Sequence, residues 1–450
     1  LTCLPILNLQ CRALSARAAP KTSVVHFEAL PKQDVETTTL PNGLVVTSLE
    51  NYSPVTRLAI IVKGGARYED GSNLGVTHAL RNAAGLATKN CSKFAITKNI
   101  EYLGANLIAT TTREHLIYTL ECNRNEVGTA FKFATEVAFC PVFKHWEVDD
   151  AAPAMKRDLA IFKQNQEAVL MEALHAAAFR GGLANSLFTQ DFMVGRHTSR
   201  VLAEFTKKHV TGPRALLAVV GAENDRLLHA LKHLEVSSGP GAEFLPSKFG
   251  GGEVRHEFCS GYTTAAIAVE GAAAKNVKEW LALGVLQHIL GTGPRVPHST
   301  SAATKLGDAV GKVAEHPFAV SALNISYSDT GLFGVTVAGH PSEMDKLTRA
   351  VLTQVRTTAQ KVSDKDFQDG KIRLKAALLF DREDQSNVAL EMGLHTVRFG
   401  HPWNPSELEQ SIDAISMQDV AAVAARVSKA KPAMAAVGRL HKTPHVDELI

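Results

Sequence analysis

The chain has no run of about 18 consecutive apolar residues, so nothing in it reads as a membrane-spanning helix. It also has no C-x-x-C pair. Its six cysteines, Cys3, Cys11, Cys91, Cys122, Cys140 and Cys259, are scattered singly, which excludes a zinc knuckle, a thioredoxin-like motif and a cysteine-held iron–sulfur cluster. There is no G-x-S-x-G elbow for a serine nucleophile. Gly291-Thr-Gly293 follows a helical pattern instead of preceding one, the wrong order for cradling a phosphate. An excess of either charge is missing too: 48 Lys and Arg face 45 Asp and Glu, interleaved, for a net charge of +3. That balance gives no nucleic-acid footprint, and the cluster Lys207-Lys208-His209 reads as a solvated helix end.

What remains is an ordinary globular composition, 45% hydrophobic and 21% charged. At 450 residues the chain exceeds one ordinary core, and two domains of roughly 200 residues are expected. Cysteines this sparse in a chain this long are expected to be reduced thiols. The first residues differ in kind. From Leu1 to Phe27 there is no acidic residue, while Arg12, Arg17 and Lys21 lie among Leu, Ala and Ser. This is the composition of a mitochondrial import leader, expected over residues 1–34.

Four landmarks occur twice, in the same order. The strand-like run 57–62 returns at 264–269, a shift of 207. The alternating pair 106–120, broken by a polar turn, returns at 323–337, with Leu116 matching Leu332 at a shift of 216. Leu174-His175-x-x-x-Phe179 returns as Leu394-His395-x-x-x-Phe399 at a shift of 220. The closing strand 215–221 returns at 433–438, its terminal glycine shifted by 217. Helical stretches follow at matching places: 73–89 and 276–290, then 124–138 and 342–360. Four collinear pairs at near-constant spacing argue for duplication. Between the copies, Ser237-Ser-Gly-Pro-Gly241 and Phe249-Gly-Gly-Gly252 read as linker. The expected organisation is a first domain at 35–236, a linker at 237–252 and a second domain at 253–450. Hairpin strands separated by helices favour an α+β fold, each domain a largely antiparallel sheet covered by helices.

The helix expected over 73–89 carries the most informative residues, Gly75-Val-Thr-His-Ala-Leu-Arg-Asn82. The stretch resembles the active-site helix of the pitrilysin and mitochondrial processing peptidase family, whose motif is H-x-x-E-H. Positions i, i+3 and i+4 share a helical face, so two imidazoles can hold Zn²⁺ while the carboxylate activates its water. Here those positions read His78, Arg81 and Asn82. The base has become a cation and one ligand an amide, and a guanidinium beside a shielded divalent cation is strongly repulsive. Read without ancestry, the same helix is amphipathic, its polar stripe of His78, Arg81, Asn82, Gly85 and Lys89 facing water or a partner.

The resemblance implies further site residues. The family's third ligand is a glutamate some 75–80 residues on, in a helix expected here over 153–177. The stretch there, 157–163, has no glutamate and places Lys163 about where the carboxylate should fall. Active members also draw an Arg and a Tyr from the second domain. The matching stretch 310–318 offers Gly311 or Lys312 and then Phe318, which lacks a hydroxyl. The expectation is therefore no catalytic residue, no metal and no cofactor. The spacing His229-x-x-x-His233 also suits a metal, yet it lies in a plain amphipathic helix with no carboxylate to complete it.

Longer strings, among them 40–55, 64–75, 174–188, 285–294 and 327–334, resemble the non-catalytic core-subunit branch of that family. Such members are built into the respiratory ubiquinol–cytochrome c reductase complex. The resemblance implies pairing with core protein 1 and other subunits of that complex. It also implies a peripheral position on the matrix side of the mitochondrial inner membrane, and a presequence peptide as a candidate occupant of the inter-subunit cavity. The alternative is the non-catalytic regulatory subunit of a presequence-processing zinc peptidase. That branch carries a long glycine-rich loop, where the chain has only two glycines within 290–298.

Overall fold

The computed structural model describes residues 34–449, apart from 233, 235, 244 and 294–303. The expected leader falls outside the described residues except for Asp34, and His233 of the His229 pair falls outside them as well.

The first half of the chain runs β1 (Glu36–Thr39), β2 (Val45–Leu49), β3 (Val55–Val62), α1 (Val76–Ala83), α2 (Lys93–Tyr102), β4 (Asn106–Thr111) and β5 (Leu116–Asn123). It continues with α3 (Val127–Phe139), α4 (His145–Gln164), α5 (Gln166–Ala178), β6 (Phe179–Arg180), α6 (Ser199–His209), β7 (Ala215–Val220) and α7 (Asn224–Leu231). The second half begins with the short β8 (Lys248–Phe249), which pairs with β6, then β9 (Gly252–Glu257), β10 (Thr263–Glu270), α8 (Val277–Leu290) and α9 (Lys305–Gly311). It ends with β11 (Ala319–Ser326), β12 (Gly331–Gly339), α10 (Met344–Gln360), α11 (Asp364–Asp381), α12 (Gln385–Phe399), α13 (Pro405–Asp413), α14 (Met417–Lys429) and β13 (Ala433–Gly438).

Two main sheets result, in the order β1-β2-β7-β3-β5-β4 and β11-β12-β10-β13-β9. Each is antiparallel except for one parallel pair, β2 with β7 and β13 with β9. The repeated landmarks are their strands: 57–62 lies in β3 and 264–269 in β10, while the two hairpins are β4–β5 and β11–β12. Two expected helices differ. The stretch 73–89 is helical only over α1, and the single helix expected over 153–177 breaks at Asn165, whose side chain accepts from the Ala168 N–H and starts α5 as a separate helix.

The period-two alternation of the strands sends side chains into separate cores. Leu58, Ile60 and Val62 of β3 join the first half's own helical layer, while Ala59 and Ile61 face α12, which comes from the second half. The second sheet mirrors this. Ile267 and Val269 of β10 enter the second half's core, while Ala266 and Ala268 face α5 from the first half. Each half thus lends one helix, α5 or α12, to the other's sheet. Small residues allow the approach: a Cβ on Gly393 of α12 would lie 2.5 Å from Ile61 Cδ1. Burying a Leu or Ile contributes about 1.5–3 kcal/mol, so these shared cores bind the halves firmly.

Polar contacts fix the exchange. Gln166 at the start of α5 donates to the Val437 carbonyl at 2.7 Å, and Arg57 reaches Asp384 before α12 at 2.8 Å. The turns of the two hairpins meet. Buried Arg67 donates to Glu114 at 2.8 Å and holds Asp329 with both guanidinium nitrogens, while Ser328 donates to Glu114 from its hydroxyl at 2.5 Å. The repeated histidine of α5, His175, lies between the Met171 carbonyl at 2.7 Å and the Tyr327 hydroxyl at 2.6 Å. Among the described residues no helix is long and apolar enough to cross a membrane.

Candidate functional site

The position of α1 is set by a buried carboxylate. Glu69 accepts from the backbone N–H of Gly75 at 2.7 Å and of Thr77 at 2.9 Å, and from the Thr77 hydroxyl at 2.6 Å. These are donors that the first turn of a helix leaves unpaired. Burial still pushes the Glu69 carboxyl up to about 7. Gly75 precedes the helix at φ +82, and a Cβ there would lie 2.6 Å from Thr189 Cα. Glycine at this position therefore lets Thr189 close over the helix.

That closure decides what His78 can do. The Thr189 hydroxyl donates to the Gly75 carbonyl at 2.9 Å, while the Thr189 N–H points at His78 Nδ1 from 3.2 Å. Nδ1 is thereby an acceptor, so in the neutral ring the proton sits on Nε2, which lies 3.3 Å from Asp158 Oδ2. Burial first, and then the neighbouring Arg81 charge, push His78 down to about 4. The sequence pattern places His78 on a wet stripe, yet the residue is wholly buried beneath α4.

Arg81 and Asn82 converge on the same oxygen. Arg81 Nη2 donates to Asp158 Oδ2 at 2.9 Å, and Asn82 Nδ2 lies 3.3 Å from it. Burial works to raise the Asp158 carboxyl, and the donations from Arg81, His78 and Asn82 outweigh it, so it titrates below the usual carboxylate range. Arg81 also lies over the Phe188 ring, 5.3 Å from its centroid, and Phe188 stacks on Phe162 at 4.1 Å. The cluster ties α1 to α4 through one carboxylate with three donors.

Asp158 corrects the sequence reading. The sequence pattern puts Lys163 about where the carboxylate should fall. Instead Asp158 fills it, 80 residues after His78, and Lys163 reaches outward to Asp191 at 2.5 Å. The spacing of 80 residues from His78 points to Asp158 once the shorter acid is admitted for glutamate.

A zinc site would need His78 Nε2 free of its proton, with Nδ1 donating to an acceptor behind it. Here the Thr189 N–H points at the back of the ring, beside the Thr189 hydroxyl oxygen at 3.1 Å, a guanidinium replaces the base, and an amide replaces the second imidazole. The donor set does not fit zinc; it fits a carboxylate. Among the described residues no group of three or more His, Cys, Asp and Glu is arranged to hold a metal ion.

The second-domain residues do not join this cluster. Gly311 ends α9, Lys312 pairs with Asp308 one turn back at 2.7 Å, and Phe318 packs against the second core. None of them takes part in the contacts made by His78, Arg81, Asn82 or Asp158. His229 lies in α7. Beside α1 runs a groove of about 570 Å³, lined by Arg81, Asn82, Lys93, Glu101 and the edge strand β4.

Residues 44–191 match the model of the insulinase family, peptidase family M16, and residues 197–374 match that of the M16 inactive domain. The chain is 40% identical to the mitochondrial cytochrome b-c1 complex subunit 2 of Homo sapiens, over 97% of this chain and 98% of that one. It is 38% identical to the subunit of the same name from Mus musculus, over the same shares. A more distant relative, 28% identical over 91% of this chain and 83% of its own, is the mitochondrial-processing peptidase subunit alpha of Solanum tuberosum.

Proposed function

The chain belongs to peptidase family M16, and on that premise we propose that it is a structural core subunit, the second, of the mitochondrial cytochrome b-c1 complex, without peptidase activity of its own. One observation carries this reading. The chain's own guanidinium, Arg81, occupies the Asp158 carboxylate where a peptidase would keep a cation and a water. His78, Arg81 and Asn82 thus serve packing, and the protein takes neither zinc nor any other cofactor. Its likeness along nearly its whole length to subunit 2 of two mammals supports the assignment.

A partner of the core protein 1 type follows from the same reading, as does a peripheral seat on the matrix side of the inner membrane. The basic leader, acid-free from Leu1 to Phe27, is removed on import up to about Ser23. The groove beside β4, with the unpaired backbone of an edge strand along it, suits an extended peptide such as a presequence. Zinc content and presequence cleavage, measured on the purified chain with and without its partner, test the reading. Stoichiometric zinc with cleavage would end it, and N-terminal sequencing that finds Leu1 in the assembled complex would end the leader proposal.

A further inference from the structure

The second core is not filled to its end. Between the second sheet and its helices lies a pocket of about 140 Å³, floored by Ile267 and Val335 and walled by Leu352 of α10 and Val427 of α14. Val446 and Leu449, from the segment after β13, form its lid. The strand register supplies one cause. In the first sheet Ile60 stands opposite Tyr118, whose side chain is buried in the first core. At the repeated place Ile267 stands opposite Val335, so the second floor lacks a ring that the first one has. An apolar cavity of about 150 Å³ inside a protein stays dry and takes a benzene-sized guest, so this pocket suits an apolar body of about six carbons.

The mouth is charged, and of one sign. Arg356 and Lys429 line it and are exposed, and no carboxylate is among the described lining residues. Arg356 donates to the Leu449 carbonyl at 2.8 Å, which also ties down the lid. Lys429 has no ion-pair partner among the described residues. Of the two acids beside the lid, Asp447 and Glu448, neither lines the pocket, and Glu448 accepts from the His445 N–H at 3.3 Å. A single negative charge at the end of an apolar tail would meet both cations.

A protein partner would need apolar ground around the opening as well as inside it. None of the exposed large apolar side chains among the described residues lines this pocket. We propose that it binds a small amphiphile of the fatty-acid class. A tail of about six carbons enters between the sheet and the two helices, and the carboxylate stays at the mouth between Arg356 and Lys429.

The probe is octanoate carrying a diazirine on its tail, photolysed on the full chain together with the subunits that copurify with it. The label is expected in the peptides that carry Val335, Leu352 or Val427. Excess octanoate should compete it away, while octanol, with the same chain and no charge, should compete about tenfold less well. Lys429→Glu, a change at an exposed position, should lower the yield about tenfold by setting like charges together, and Lys429→Arg should keep it. Val335→Tyr, which installs the first half's ring, should remove the label from protein that still unfolds cooperatively. No labelling, labelling confined to other sites or to another subunit, equal competition by octanol, or a yield that Lys429→Glu leaves unchanged overturns the site.

Discussion

Arg81 Nη2 lies 2.9 Å from Asp158 Oδ2 and shares that oxygen with His78 and Asn82. The helix pair that would grip a metal in a peptidase is closed here by a salt bridge internal to the chain. Both partners are part-exposed, at 24% and 35% of their side-chain surfaces, so the pair itself adds only about 1 kcal/mol. Its main effect is on chemistry, since it fills the site.

Restoring the motif with Arg81→Glu and Asn82→His should not produce a peptidase. Asp158 would then face two imidazoles and a base, but the Thr189 N–H still opposes the tautomer a ligand needs, and Phe318 supplies no hydroxyl. Loss of one preorganised donor typically slows such a reaction about 10²–10³-fold. Cleavage of a fluorogenic presequence peptide should stay at least that far below an active family member. A rate approaching that member would refute the account of the site.

Acid should destabilise the protein through its buried histidines. Burial pushes His78, His209 and His395 to about 4, and His115 and His175 to about 3. These rings stay neutral in the fold while the unfolded chain protonates near pH 6.5, so their contribution is complete above 6.5 and is lost as pH falls toward 4. Each ring contributes up to about 1.4 kcal/mol per pH unit in that window. Glu69, raised to about 7, works in the opposite direction between 4.5 and 7, one group against five. Urea unfolding midpoints at pH 7.5 and 5.0 check the sign, and a midpoint that rises on acidification would contradict it.

The meeting of the two hairpin turns depends on one cation. Arg67→Met would leave Glu114 and Asp329 facing each other with 8% and 22% of their side-chain surfaces exposed. Removing one partner of such a buried group costs about 3–5 kcal/mol. Asp329→Asn, which keeps a polar side chain at a more exposed position, should cost less. Thermal unfolding of both variants would rank them, and equal small losses would show that the turn contact is incidental.

The duplication, the strands and the altered motif helix could all be read from the sequence, because alternation and helical spacing are local patterns. The exchange of α5 and α12 could not. The same Leu-His-x-x-x-Phe pattern would suit packing on either sheet, and the small partners that admit these helices, Ala266, Ala268 and Ala218, lie far away in the chain. The role of Asp158 is hidden for a narrower reason: the family motif has the longer acid at that spacing. His78 looked wet because periodicity places it on the polar face, and only α4 crossing above it reveals the ring as buried. The break at Asn165 is local, yet its Asx cap was hidden inside a continuous helical pattern.

The central claim is that the chain is built into the cytochrome b-c1 complex and does not process presequences. The most direct measurement is affinity purification of the tagged chain from mitochondria under mild detergent, with stoichiometry by mass spectrometry and presequence cleavage assayed on the same sample. The account predicts near-equimolar recovery with a core protein 1 type partner and the other subunits of the complex, and loss of this chain's copurification with them when the complex is dissociated. Recovery with the catalytic subunit of a soluble processing peptidase, active on presequences and free of cytochrome b-c1 subunits, would contradict it.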